Sequence, residues 1–231
     1  MRRFSLAFLM LMLFAASLSA QRRRTVYTTD PGYWVTGGIS GFRANGVNDG
    51  ATGSTWDFGN STNFQYRASL ERGMANGSSI GIAGSYANIP FQYSSDLALP
   101  LPAGVSGDRC DAAGCKAHLN MMTLVGTFHV GSGYGLHQAL ELNGGIVAYQ
   151  NLKRDSDGAK LAGSGNIDPL FSLGYGFGYG INEHTSIDVM SDYGIAIHER
   201  SGASNAVSNT NTMPGLRVLL RMGFGGRTFR R

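Results

Sequence analysis

The sequence predicts an all-β fold, an eight-stranded antiparallel up-and-down transmembrane β-barrel, and three observations carry that reading. Apolar and small or polar residues alternate with period two over long stretches. The connections between stretches are alternately short and long. Most stretches exceed the roughly 9 to 11 residues that a tilted strand needs to cross a bilayer. The segment LFSLGYGFGYGI, residues 170–181, poses the physical question most sharply. One face carries Phe171, Leu173, Tyr175, Phe177, Tyr179 and Ile181; the other carries Ser172 and then Gly174, Gly176, Gly178 and Gly180. In a water-soluble barrel with the large face inward, the outer surface would have almost no side-chain cover. With the large face turned to acyl chains, the glycines instead leave room in a lumen that eight strands can only just fill.

The elements follow in order. The first twenty residues, MRRFSLAFLMLMLFAASLSA, place Arg2 and Arg3 before an apolar run and end in small residues, the layout of a secretory signal peptide. The run is too short to span a bilayer comfortably as a helix. Residues 1–20 are therefore expected to be a signal peptide, cut after Ser19 or Ala20, and residues 21–231 the barrel. Period-two scanning places strands at 33–43, 58–73, 78–91, 116–131, 135–151, 166–180, 184–198 and 213–226. Long Gly-, Asn-, Ser- and Asp-rich connections follow the first, third, fifth and seventh, and MANGS, GSGYG and INEH close the others. Short periplasmic turns and long outer loops, with both termini periplasmic, are the expected arrangement.

Facing residues of a hairpin point the same way, so turn parity constrains register. That parity suggests a turn at Ala75, Asn76 and Gly77, Gly180 opposite His184, and His129 facing His137. It also allows Asp188 opposite Arg221 together with Asp192 opposite Arg217, with registers two residues away still open.

The faces turned inward hold Arg67, Glu71, Glu141, Asp168, Asp188, Asp192, Arg217 and Arg221. Carboxylates and guanidiniums removed from bulk water persist only when paired, so these eight read as a polar plug; a proton or ion path is the functional alternative. Cys110 and Cys115, in DRCDAAGC of the third connection, are expected to form a loop-locking disulfide in an exported chain. No metal site or cofactor is expected: the histidines are scattered, and DSDG at 155–158 lacks the later ligands of a calcium loop. His198, Glu199 and Ser201 in HERSG do not form a triad along a strand, because Glu199 points opposite to His198, so no enzyme is expected. Between residues 25 and 226 the balance of 11 basic against 15 acidic residues is −4, which argues against nucleic acid.

With these features assembled, the chain resembles the small outer-membrane barrels of the OmpA transmembrane-domain, OmpX and opacity-protein type. Its last strand, MPGLRVLLRMGFGGRTFRR, partly looks like the C-terminal signal read by the barrel assembly machinery, although it ends in Arg230 and Arg231 with Phe229 two residues from the end. No peptidoglycan-binding segment is expected after the barrel. The resemblance implies an outer-membrane location in a Gram-negative type cell and contact with outer-membrane lipids and lipopolysaccharide. It further implies a structural or surface-interaction role, with a host or cell-surface ligand at the outer loops. A narrow solute channel of the OmpW kind is the alternative, and a lipid-modifying barrel enzyme, whose His-x-Ser-Asn pattern is not reproduced here, comes after it.

Overall fold

In the computed structural model, the described residues are 29–59, 61–74, 77–98, 100–101, 103–198 and 210–228. The segment expected to be a signal peptide, Ala75 and Asn76, Glu199 and Ser201, and the last three residues lie outside them. The unit Asp30–Arg227 is built from β1 (Thr29–Phe42), β2 (Val47–Asp49), β3 (Ser54–Asp57), β4 (Asn63–Gly73), β5 (Ser78–Ser95), β6 (Cys115–Val130), β7 (Gly135–Arg154), β8 (Asn166–Asn182), β9 (Thr185–Ile197) and β10 (Thr210–Thr228). Strands β1 and β4 to β10 form a ring in which every neighbour is hydrogen-bonded, closed by the β5–β6 pairing. Closure leaves no free edge in hydrocarbon, where an unpaired backbone group would cost several kcal/mol, about what any buried unsatisfied amide costs.

The eight ring strands match the eight expected, with one difference. The strand expected at 58–73 begins only at Asn63, and two short strands precede it. β2 and β3 form a hairpin in the first outer connection, and β3 pairs with the outer end of β5, Trp56 opposite Tyr93. Only after residues 58–62 does β4 begin and pair with the lower part of β5.

The faces divide as expected. Exposed residues on β8 are Phe171, Leu173, Phe177 and Tyr179, and on β10 Leu216, Val218, Leu220, Met222 and Phe224. The glycines of β8 look inward, and two of them stand where charged side chains need space. A Cβ on Gly174 would meet Asp192 Oδ1 and Arg217 Nη2; one on Gly178 would meet Asp188 Oδ1 and His137 Nε2.

Turn geometry corrects three register expectations. Met74 N–H donates to Ser78 O, and Gly77 adopts φ 71°, the left-handed turn conformation open to glycine. The β8–β9 connection is tighter than a three-residue turn. Asn182 pairs with Thr185 and a bulge at Ile181 absorbs the odd residue, so Gly180 faces Ser186 and not His184. His129 faces Glu141, not His137, which lies opposite Gly178. Between β9 and β10 the register is two residues from the expected one: Arg217 faces Met190 and Arg221 faces Ser186. Parity is preserved in this last case, so every side chain stays on its expected face.

Replacing Gly178 by Val should therefore displace a buried carboxylate and cost about 1 to 3 kcal/mol of overpacking. Gly37→Val, at a position with nothing within 4 Å of the added carbon, should change stability by no more than about 0.5 kcal/mol. Urea midpoints of the refolded barrels in lipid vesicles, read by heat-modified gel mobility, check both.

Candidate functional site

The barrel interior holds three layers of polar chemistry. At mid-height, Glu141 on β7 is the hub. Its Oε1 accepts from Arg67 Nη2 of β4 at 2.8 Å and from Arg217 Nη1 of β10 at 3.0 Å, which ties three non-adjacent strands together across the lumen. Arg67 also donates to Asn143 Oδ1, and Asn143 donates to Ser172 Oγ. Arg217 Nη2 lies 3.0 Å from Asp192 Oδ1, but that oxygen receives no well-aligned N–H. The contact is an ion pair and not a directed hydrogen bond. Arg67, Glu141 and Arg217 are all buried.

Nearer the short turns, Arg221 on β10 donates to Glu71 Oε2 and Ser79 Oγ, and its guanidinium sits 4.7 Å from the Trp34 ring centroid. Ser69 and Ser79 hydroxyls supply further hydrogen bonds to Glu71. Asp188, fully buried, lies 3.6 Å from His137 Nε2 and 3.9 Å from Arg221 Nε. Two residues that the expected register set face to face, Asp188 and Arg221, thus approach diagonally, which a side chain of arginine's length permits.

Asp168 stands apart from both arginine groups. It accepts from the His198 imidazole, with Nδ1 2.7 Å from Oδ2, at the outer end of the barrel. There His198, one residue past β9, reaches towards Asp49 of the β2–β3 hairpin, 3.9 Å from Nε2. Thr52 Oγ1 donates to Asp49 Oδ2 at 2.7 Å, and the Trp56 and Tyr149 rings stack edge-on against the imidazole. Burial alone would lower the affinity of His198 for its proton, but the hydrogen bond to Asp168 and the nearby Asp49 carboxylate outweigh it and push the pKa up to about 9.

Between the outer layer and the Glu141 hub the lumen is apolar, a feature that a uniformly polar plug does not anticipate. Trp56, Ile89, Tyr93, Leu119, Tyr149, Leu152 and Leu161 are buried to the last percent, and Phe58, Phe91, Met121, Val125 and Leu170 pack with them. Below this core lies a cavity of about 70 Å³, floored by Arg67, Asp192 and Arg217 and roofed by Met121, Leu170 and Met213. The eight charged residues expected in the lumen all point inward, but they form three groups. His129, His137, His198, Asp49 and Trp56 complete those groups. Asp49 lies in a strand of three residues, too short to show periodicity, and Trp56 reads in sequence as a continuation of the alternation of β4.

Cys110 and Cys115 are joined by a disulfide, Cα atoms 5.8 Å apart, between β5 and the start of β6. Ser95 Oγ donates to Cys110 O, which ties the small loop to the outer end of β5. Among the described residues no group of three or more His, Cys, Asp or Glu is placed to hold a metal ion.

No protein-family model and no curated protein matches the chain. Solved structures do. Neisserial surface protein A is 12% identical with a TM-score of 0.52, over 84% of this chain and 97% of that one. OprG of Pseudomonas aeruginosa is 13% identical with a TM-score of 0.45, over 86% and 96%. Ail of Yersinia pestis, solved with the heparin analogue sucrose octasulfate, is 13% identical with a TM-score of 0.38, over 82% and 97%. These proteins are outer-membrane barrels of Gram-negative bacteria. The ring of eight strands, the outward apolar faces and the likeness to the neisserial protein place the chain in the eight-stranded outer-membrane β-barrel fold.

Proposed function

We propose that this chain is an outer-membrane protein whose barrel is closed to solutes and which acts as a structural or surface-interaction protein through its outer face. The observation that carries this reading is the double closure of the lumen. An ionic layer centred on Glu141 and an apolar layer centred on Trp56 lie one above the other, each spanning the interior. A narrow channel would need a path through Trp56, Tyr93 and Tyr149, all 0% exposed, and then between guanidiniums held by carboxylates. His198, at 1% exposure, is committed to holding the hairpin, which argues against a hydrolytic role for the Asp168–His198 pair. Planar-bilayer recording of the refolded chain should show no steady openings; regular unitary conductance would overturn the reading.

The closure makes quantitative demands. Arg221→Ala leaves Glu71 and Asp188 buried without their cation and should cost about 3 to 5 kcal/mol in a dry site. Arg154→Ala, whose partners Asp108 and Asp157 are half-exposed, should cost far less, because solvent screens that pair. Denaturant midpoints of the two variants in the same vesicles measure the difference.

Besides the β3–β5 pairing, one tie between the outer hairpin and the wall, through His198, depends on a proton. His198 binds it more tightly folded than unfolded, with a pKa of about 9 against 6.5. The stabilisation is therefore fully present below about pH 6.5 and lost as pH rises through 9, up to about 3 kcal/mol at 1.36 kcal/mol per unit. Fluorescence of Trp56, which stacks on that imidazole, should report loss of this contact between pH 8 and 10 in the wild type; His198→Gln should abolish that transition.

A further inference from the structure

The chain contains three lysines, Lys116, Lys153 and Lys160, and the fold gathers all three on the outward face of one sector of the outer rim. Lys116 is two residues above His118 on the same face of β6. His118 lies directly opposite Lys153 on β7, and Lys153 forms an antiparallel bridge with Lys160. The bulge that skips Asn151, at φ 54°, turns Leu152 into the core and keeps Lys153 outside. Like charges placed directly opposite across strands are destabilising, so Lys153 and Lys160 are arranged for an anion. The carboxylates nearby are otherwise engaged: Asp155 by His118 at 2.7 Å, and Asp108 and Asp157 by Arg154. Among the described residues, no lysine takes part in a salt bridge.

Beside this row the wall has a notch. Because β3 ends at Asp57 and β4 begins at Asn63, the stretch of β5 around Pro90 loses its partner on that side. The opening has a volume of about 280 Å³ and is lined by Lys116, Gln92, Pro90, Ser61, Asp57 and Asp155, the two carboxylates being engaged by Gly59 N–H and by His118.

The height of the row selects the kind of anion. On β6 the last apolar residue facing the lipid is Met122, then Asn120, which hydrogen-bonds Asn88 and Tyr86. Lys116 is six residues above Met122. At about 3.3 Å per residue on a strand tilted about 40°, that is roughly 15 Å above the apolar band. Phospholipid headgroups add only about 5 to 8 Å to each side of the hydrocarbon, so their phosphates lie below the row. A lipid with a tall, sugar-built headgroup carries its phosphates to this level and offers hydroxyls to Gln92 and Ser61 in the notch.

We propose that Lys116, Lys153 and Lys160, with the adjoining notch, form a binding site for a phosphorylated glycolipid headgroup of the outer leaflet. This rests on the outer-membrane reading above and names one lipid contact of the surface. The site fixes the barrel's rotational setting among its lipids, because the basic row occupies only the β6–β7 sector.

The test is native mass spectrometry of the mature chain refolded in micelles with lipopolysaccharide, with its enzymatically dephosphorylated form, or with phosphatidylglycerol. Wild type should retain lipopolysaccharide at least tenfold more than either comparison lipid. Lys116→Gln/Lys153→Gln/Lys160→Gln should lose that preference, while the corresponding triple Arg variant and Arg43→Gln, which changes an exposed cation on β1's outer extension, should keep it. Equal retention by the triple Gln variant, equal binding of the dephosphorylated lipid, or full displacement by millimolar inorganic phosphate overturns the site. Heat-modified mobility on insertion into vesicles is read in parallel: a wild-type chain that does not insert overturns the membrane reading itself, whereas insertion without lysine-dependent retention overturns only this site.

Discussion

The structure depends on one constraint: a closed ring of eight strands in hydrocarbon must turn its large apolar side chains outward, so the narrow interior has to be filled with what remains. Those remaining groups are charged, and they are removed from bulk water with little room for solvent to replace it. Burying an isolated charge is costly enough that only a mutually satisfied set is tolerated. Glu141 shows how the set closes. Its Oε1 is shared by Arg67 and Arg217, and the repulsion between those two guanidiniums is offset by Asp192 on the far side of Arg217. Two cations and two anions make the middle layer neutral. The glycines of β8 belong to the same solution, because Asp192 and Asp188 occupy the volume that side chains at 174 and 178 would have taken.

The same constraint explains why the upper lumen is apolar. On β5 the exposed large residues below the rim are Ile80, Ile82 and Tyr86, at even positions, while the buried ones above it are Ile89, Phe91 and Tyr93, at odd positions. No bulge lies between them. β6 repeats the inversion, with Met122 and Leu124 outward and Leu119 and Met121 inward. Within the bilayer the outward side is solvated by acyl chains. Beyond it the outward side meets water, and the ordinary rule of a greasy inside returns. The switch of apolar parity along an unbroken strand therefore marks the membrane border, and it agrees with the outward Asn88, Asn120 and Gln150 found at that level.

This inversion also sets how much was legible beforehand. Strand number, loop asymmetry and the sidedness of all eight lumen charges follow from period two, since a face is fixed by odd or even position alone. Register does not follow, because a shift of two residues leaves every face unchanged; that is why Arg217 and Arg221 sit one pair away from their expected partners. The β2–β3 hairpin was hidden for a different reason. STWDF continues the alternation of the strand that follows, and only the turn residues around Gly59 separate Trp56 and Phe58 from β4. The switch in parity at Ile89 was present in the sequence, but it carries meaning only once the border is known.

The lower layer is balanced differently from the middle one. Around Arg221 stand two carboxylates, Glu71 at 2.9 Å and Asp188 at 3.9 Å, so one guanidinium faces two acids. Glu71 is well supplied by Ser69, Ser79 and Arg221. Asp188 is not: neither of its oxygens accepts a well-formed hydrogen bond, and its nearest other neighbour is His137. The surplus acid instead lies beside the His137 imidazole, whose Nε2 is 3.6 Å from Asp188 Oδ1. A pair of that kind needs no second arginine, for which the Gly178 side of the lumen has no space. Imidazoles at His137 and His198 thus stand beside Asp188, Asp168 and Asp49, where a further guanidinium would take more room.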